Sequence, residues 1–411
     1  MKALVFGVKP ESFTPPEDAN QLVKNLAFTP VALEDVPKST PLRPDWVVLK
    51  PRLVGICGSD SKQILLDWGG GENRDNPMMP FTSFPQVMGH EVVADVVELG
   101  PEAKGVEVGQ RVSFTPWLTC APRGVSPVCP ACEDGDDSLC WSFEEGPIAP
   151  GIHTGTSRDA TGGYAEFMPA HVSMVFPVPD DVSDEAAIFA DPFAVSLHSV
   201  TRHPPTPGGK VLVYGAGSLG LAAVAILRAL YPETEVAVVA RFDHQAKMAR
   251  EFGASKVVPS EPAESILEDL AAWSGGRLRR TEHGLPMAHP GGIDVVYDTI
   301  GKPETFEIGT RLLKARGTMV KSGVNAPARW EWTPLYFKEL YWVGSNAFGT
   351  ETVRGVRKHG IEHYLELASA GEVDLTPMLT QTYRLEEWRD AFLTIANQGE
   401  TGAIKVAIDH R

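Results

Sequence analysis

The chain has 411 residues, 43% of them apolar and 22% charged, and a formal net charge of -16. That length suffices for two domains with separate cores, and the composition is that of an ordinary globular protein. The acidic balance, with no Lys/Arg cluster to offset it, argues against nucleic acid and anionic lipid as partners, and no run of about 18 uncharged apolar residues marks a membrane span.

The N-terminal stretch "MKALVFGVKPESF" meets a proline and a charge before an apolar segment of signal-peptide length can form, so a cytoplasmic protein is expected. From about 45 to 190, Pro and Gly break the chain into short apolar runs such as "DWVVLKPRLVGI", "HEVVADVVELG" and "GQRVSF". Their length and β-branched content predict a mostly β, barrel-like domain. Inside it, "GICGSDSK" (55–62) sets Cys57 between two glycines, and four more cysteines, 120, 129, 132 and 140, fall within twenty-one residues. In a cytosolic chain such a cluster points to metal rather than disulfides. Cys129-x2-Cys132-x7-Cys140, with Cys120 nine residues before Cys129, offers four thiolates to a tetrahedral zinc in a lobe with little core of its own. The wide gap after Cys120 is the irregular feature, and four separate buried thiols are the bland alternative.

"QVMGHEVV" supplies His90 and Glu91 after a glycine that can bend the chain, and "ADPF" supplies Asp191. Cys57, His90 and Asp191 together have the three protein ligands of a catalytic zinc with one open position. After "TPGGK" the rhythm changes to apolar strands starting near 211, 236, 256, 293, 318 and 341, separated by helix-length segments. Six strands with helical crossovers predict a parallel, doubly wound sheet of α/β class. The segment "SGGRLRRTEHGLPMAHPGG" reads as a surface insertion, and the last sixty residues, a helix and then the strand "IKVAID", return to the first domain.

"VLVYGAGSLGLAAVAILRAL" runs from strand through Gly215-x-Gly217-x-x-Gly220 into a helix. Gly215 permits the turn, Gly217 lets the backbone approach a pyrophosphate, and Gly220 allows close helix packing. Where NAD binding calls for a carboxylate at the end of the second strand, the sequence has Ala240 and then Arg241. Arg241 suits a 2'-phosphate and hence NADP, while Asp243 nearby keeps NAD open.

In this order, "GICGSD", "GHEVV", the cysteine lobe, "GGYAEF", "ADPFAVSLHSV" and "VLVYGAGSLG" resemble the zinc-dependent medium-chain dehydrogenases, the family of alcohol, sorbitol and threonine dehydrogenases. The resemblance implies a GroES-like catalytic domain (1–192 and 347–411), a Rossmann domain (193–346) and an active site in the cleft between them. It implies one catalytic zinc on Cys57, His90 and Asp191, with Glu91 able to swing onto the metal, and one structural zinc on Cys120, Cys129, Cys132 and Cys140. Ser59 resembles the hydroxyl that takes the substrate proton, and Asp60 the carboxylate that orients His90. Lys62 stands where many relatives have a relay histidine, so either Lys62 or water completes the relay. The implied dinucleotide contacts are Gly215, Gly217, Ser218, Leu219, Gly220, Ala240, Arg241, Ser322, Val324 and Ser345.

The activity implied is hydride transfer between an alcohol or polyol and NADP or NAD, in a homodimer or homotetramer acting on a small-molecule substrate. A zinc-independent quinone or enoyl reductase and a non-catalytic binding protein are the competing readings. The loop at 66–86, with Trp68, Met78, Met79, Phe81 and Phe84, reads as overhanging the substrate or as an apolar cover or oligomer contact, and Trp117 and Leu118 as pocket lining.

Overall fold

The structure is a computed structural model and describes residues 1–67, 78–325 and 329–411. Its contacts divide the chain into two compact units, Met1–Asp191 with Ile361–Arg411, and Pro192–Gly360.

The first unit is built on a seven-stranded sheet whose longest member, Trp46–Gly55, is buried at nearly every position. The run "WVVLKPRLVG" lacks the alternation of a half-exposed strand because neighbours cover both its faces. On one side it pairs antiparallel with Glu91–Leu99, and on the other with the final strand, Lys405–Asp409. The register sets Gly55 opposite both Glu91 and Ala407, so three segments remote in sequence meet just before Cys57. A three-stranded sheet of Val31–Asp35, Lys2–Phe6 and Gln86–Val87 completes the β-rich architecture.

The second unit holds six parallel strands: β1 (Lys210–Tyr214), β2 (Glu235–Ala240), β3 (Lys256–Pro259), β4 (Ile293–Asp298), β5 (Leu313–Lys321) and β6 (Tyr341–Gly344). They are ordered β3-β2-β1-β4-β5-β6, the doubly wound arrangement expected, with its switch point between β1 and β4. β5 begins several residues earlier than the apolar pattern suggests and pairs with β4 through an irregular register between Ile293 and Val295. The segment read as a surface insertion forms a two-stranded ribbon, Leu278–Arg279 with Met287–Ala288. Ala288 is fully buried, and Leu278 and Leu285 pack on the core, so the isolated apolar residues of that loop are what anchor it. Among the described residues no helix is long and apolar enough to cross a membrane.

One buried carboxylate ties the first unit together. Asp184 accepts from Arg52 Nε at 2.8 Å, Arg111 Nη1 at 3.2 Å and Arg411 Nη1 at 3.4 Å, joining two strands and the C-terminus. Asp184→Asn removes the charge while keeping the shape. It is expected to cost about 1.5–3 kcal/mol, toward the low end because water screens the half-buried arginines. Urea unfolding checks this, and an unchanged midpoint would refute the role.

Candidate functional site

Cys57 ends the long central strand and starts the helix Gly58–Ile64, which carries Ser59, Asp60 and Lys62. Asp60 faces inward. Its Oδ2 accepts from the Cys57 backbone N–H at 3.3 Å and from the Tyr164 hydroxyl at 2.8 Å. Its Oδ1 lies 3.5 Å from His90 Nδ1, near enough for an ion pair though too poorly aligned for a hydrogen bond. His90 reaches this position because Gly89 takes a left-handed φ of 91°, and a Cβ there would lie 2.7 Å from the Tyr164 ring. Asp191, in the first turn of the helix Ala190–Arg202, is buried, and its charge is felt by the same group of residues.

The electrostatics follow from burying so many ionisable groups together. Burial pushes Asp60 up, but His90 and the Tyr164 and Cys57 hydrogen bonds outweigh it and hold the carboxyl below its usual value. Burial works against the His90 imidazolium, and Asp60 and then Cys57 overcome it and raise that imidazole well above its ordinary range. Asp191 is pushed up to about 7, mainly by burial and further by Glu91 and Asp60, against the opposing pull of His90 and Lys405. The half-buried Cys57 thiol acts on the buried His90 imidazole, and His90 in turn on the buried Asp191 carboxyl, and thiol, imidazole and carboxylate are donor types that a divalent zinc suits, although among the described residues only the four lobe cysteines gather their ligand atoms within metal-binding reach of one another. Glu91, immediately after His90, pairs with Lys405 at 2.6 Å.

The four lobe sulfurs lie within 4.8 Å of one another, so Cys120 joins the set despite its wide spacing. Backbone N–H groups point at them: Cys129 N to Cys120 Sγ at 3.4 Å, Trp141 N to Cys129 Sγ at 3.4 Å and Ser142 N to Cys140 Sγ at 3.3 Å. Burial alone would raise Cys129. The Trp141 and Cys132 N–H groups reverse this and bring it down to about 7, whereas the Cys140 contact and burial push Cys132 up and burial pushes Cys120 up, so without a cation the cluster carries its negative charge on Cys129 first. The extra residues after Cys120 form a single turn, Cys120–Arg123, closed by Gly124 in the left-handed conformation. Arg123 is fully buried and donates to the carbonyls of Leu118, Glu145, Ile148, Ala149 and Gly151 at 2.8–3.1 Å. The four bonds to 145–151 tie the inserted turn to the far side of the lobe and the fifth ties it to Leu118, just before the turn, which is how the wide gap closes.

In the second unit, Gly215 sits at φ 107°, and a Cβ on Gly220 would lie 1.9 Å from the Gly215 carbonyl oxygen. The space a Cβ on Gly217 would enter is open. The helix Ser218–Leu230 starts there with no side-chain cap, leaving first-turn N–H groups for a pyrophosphate. Ala240 is buried at the end of β2, and Arg241 is exposed with its guanidinium 5.0 Å from the Phe242 ring centre. Asp243 begins the helix Asp243–Glu251. Ser322 and Val324 follow β5, and Ser345 follows β6 with its hydroxyl 3.0 Å from that of Ser199.

Other expectations fare unevenly. Leu118 is fully buried, which removes it from any pocket wall, whereas Trp117 stands 5.9 Å from the His153 ring. Met78, Met79 and Phe84 are exposed, and Trp68 lies outside the described residues. His153, Tyr164, Lys405 and Arg123 were not singled out by the sequence reading. The His153 ring lies tilted with its centre 4.8 Å from that of His90, donates from Nδ1 to the Thr154 carbonyl at 2.7 Å, and is driven down to about 4 by burial and by His90. Only Tyr164 had a signal, its place in "GGYAEF".

Residues 43–180 match the model of the alcohol dehydrogenase GroES-like domain, and residues 218–360 that of the zinc-binding dehydrogenase. The chain is 29% identical to L-galactonate-5-dehydrogenase of Escherichia coli (strain K12), over 82% of this chain and 84% of that protein. It is 27% identical to L-threonine 3-dehydrogenase of Vibrio parahaemolyticus serotype O3:K6, over 88% and 91%. A Sinorhizobium meliloti 1021 protein described as a zinc-binding dehydrogenase and bound to NADP superposes with TM-score 0.72 at 25% identity, covering 99% and 98%. The chain therefore belongs to the zinc-dependent medium-chain dehydrogenase/reductase family. Within it, this is an oxidoreductase of the alcohol and polyol dehydrogenase class, acting on an alcohol/carbonyl pair.

The lobe geometry generates a test. Arg123→Met removes a donor from five carbonyls, of which that of Ala149 keeps the Ser157 hydroxyl, and Cys132→Ser removes one sulfur. Each is expected to lower the melting temperature and to drop bound zinc by one ion per chain in elemental analysis. Retention of all the zinc by the Cys132 variant would refute the lobe as a metal site.

Proposed function

We propose that the chain is a zinc-containing, NADP-preferring alcohol or polyol dehydrogenase. In this reading residues 1–192 and 347–411 form the catalytic domain and 193–346 the dinucleotide domain. Cys57, His90 and Asp191 hold a catalytic zinc, and Cys120, Cys129, Cys132 and Cys140 a structural one. The observation that carries the reading is Asp60, whose carboxylate reaches both the Cys57 backbone and His90 and so fixes two of the three ligands from one buried point. The substrate class follows the relatives' names: the hydroxyl of a small polar molecule such as L-galactonate or L-threonine.

Zinc, when bound, supplies a Lewis acid that makes an alcohol easier to deprotonate, and the nicotinamide accepts the hydride. The chain's own part is to hold the ligands and move the proton. Ser59, two residues after Cys57 on a half-buried turn, receives the hydroxyl proton at Oγ as its own proton leaves, and either Lys62 in its neutral amine form, one helical turn on, or water alone carries that proton toward solvent. Asp60 keeps the imidazole oriented.

For the dinucleotide, absence of a carboxylate at Ala240 removes both the partner of a ribose diol and the repulsion against a 2'-phosphate. Arg241, held beside Phe242, supplies a planar charged fork, and His244 adds a second group, its Nε2 buried without a hydrogen-bond partner. Asp243 opposes this.

Two measurements test the reading. Ser59→Ala is expected to lower kcat by about 10²- to 10⁴-fold with the dinucleotide Kd unchanged, and unaltered turnover would remove Ser59 from the mechanism. The parent is expected to show higher kcat/KM with NADP than with NAD, and Arg241→Ala to shift that ratio toward NAD by roughly 10- to 150-fold, the worth of one charge-assisted bond. A parent that favours NAD, or a ratio that does not move, would overturn the assignment.

A further inference from the structure

Glu91 occupies a place reserved for it twice over. Its two carboxylate oxygens take bonds from Lys405 Nζ at 2.8 and 2.6 Å, and the same ammonium donates to the Ile56 carbonyl at 3.2 Å. The three donors of the lysine thus have partners. Both side chains are all but inaccessible, at 3% exposure for Lys405 and 2% for Glu91. The second reservation is an absence: a Cβ on Gly55 would lie 2.2 Å from Glu91 Oε2. Gly55 is paired with Glu91 across the sheet and its φ is not left-handed, so the backbone does not require glycine there; the carboxylate does. A carboxylate that moved freely onto a neighbouring metal would need neither the cleared space nor a bidentate partner.

We propose that Lys405 is a positioning residue that holds Glu91 off the metal, with Gly55 providing the room. The proposal rests on Cys57, His90 and Asp191 being the ligands. Leaving the pair would strand two buried charges, so Glu91 stays with Lys405 and the open coordination position is kept for substrate. Removing the lysine frees a carboxylate next to His90 to compete for the ion and to assist its exchange.

The test measures zinc transfer from the fully loaded protein to the chromophoric chelator 4-(2-pyridylazo)resorcinol, with zinc per chain counted first. Lys405→Met is expected to release its more labile zinc at least about 10-fold faster, the lower range for loss of a residue that orients a ligand. Lys405→Arg, which can still pair, is expected to keep the parental rate. The double variant Lys405→Met/Glu91→Gln is expected to return toward it, because the mobile carboxylate is gone. An unchanged rate in Lys405→Met overturns the proposal, as does a rate that stays fast in the double variant, which would mark a loss of packing instead. Should Lys405→Met fail to fold, Gly55→Ala keeps both charges and takes the carboxylate's space; parental release from it overturns the proposal. A parent holding zinc only in the cysteine lobe refutes the ligand assignment, and the initial count shows that before any variant is made.

Discussion

Charge buried inside an apolar β-rich core has to be neutralised where it stands, and the first unit is organised around that requirement. Asp60, Glu91 and Asp191 are three buried acids, faced by Lys405, His90 and the Cys57 thiol. Glu91 and Lys405 cancel each other. Asp60 leans on His90 and on two hydrogen bonds. Asp191 has no such close partner, and burial, with Glu91 and Asp60 adding to it against His90 and Lys405, pushes its carboxyl up to about 7. A divalent ion is the counter-charge that closes this balance, and the strand register, the bend at Gly89 and the Tyr164 hydroxyl all serve to keep the groups within reach of one another.

The lobe solves the same problem by other means. Arg123 is a fully buried cation whose hydrogen-bond partners are five backbone carbonyls, so oriented peptide dipoles do the work of a counter-ion. None of these partners is a cysteine side chain, and the anchor therefore acts on the chain path rather than on the sulfurs. The irregular cysteine spacing and the buried arginine are two aspects of one local design, in which a longer connection is kept in place by a side chain that the extra length itself provides.

How much of this was legible depends on how local the signal is. The six parallel strands, the glycine loop and the helix after it are written in apolar runs and turn residues a few positions apart, and they emerge where expected. The proposed donors Cys57, His90 and Asp191 stand out in the sequence because thiol, imidazole and carboxylate are scarce types set in recognisable frames. The partners that hold these groups are not. Lys405 meets Glu91 because the last strand pairs with the central strand Trp46–Gly55, which in turn pairs with Glu91–Leu99, and nothing in "IKVAID" says where its lysine will point. His153 and Arg123 sit in loops without periodicity, and Leu118 looked like pocket lining until its complete burial showed it to be core. Pattern finds what a residue is; only topology finds what it faces.

Gly55 carries a consequence for how this sequence can vary. Most glycines with a strict role are held by a backbone angle, and their tolerance can be judged from their own turn. Here the limit comes from a carboxylate on the neighbouring strand and, behind it, an ammonium from the end of the chain. Positions 55, 91 and 405 consequently act as one unit: a side chain at 55 would enter the space that the acid at 91 fills, and without that acid the ammonium at 405 keeps only the Ile56 carbonyl and the more distant charge of Asp191.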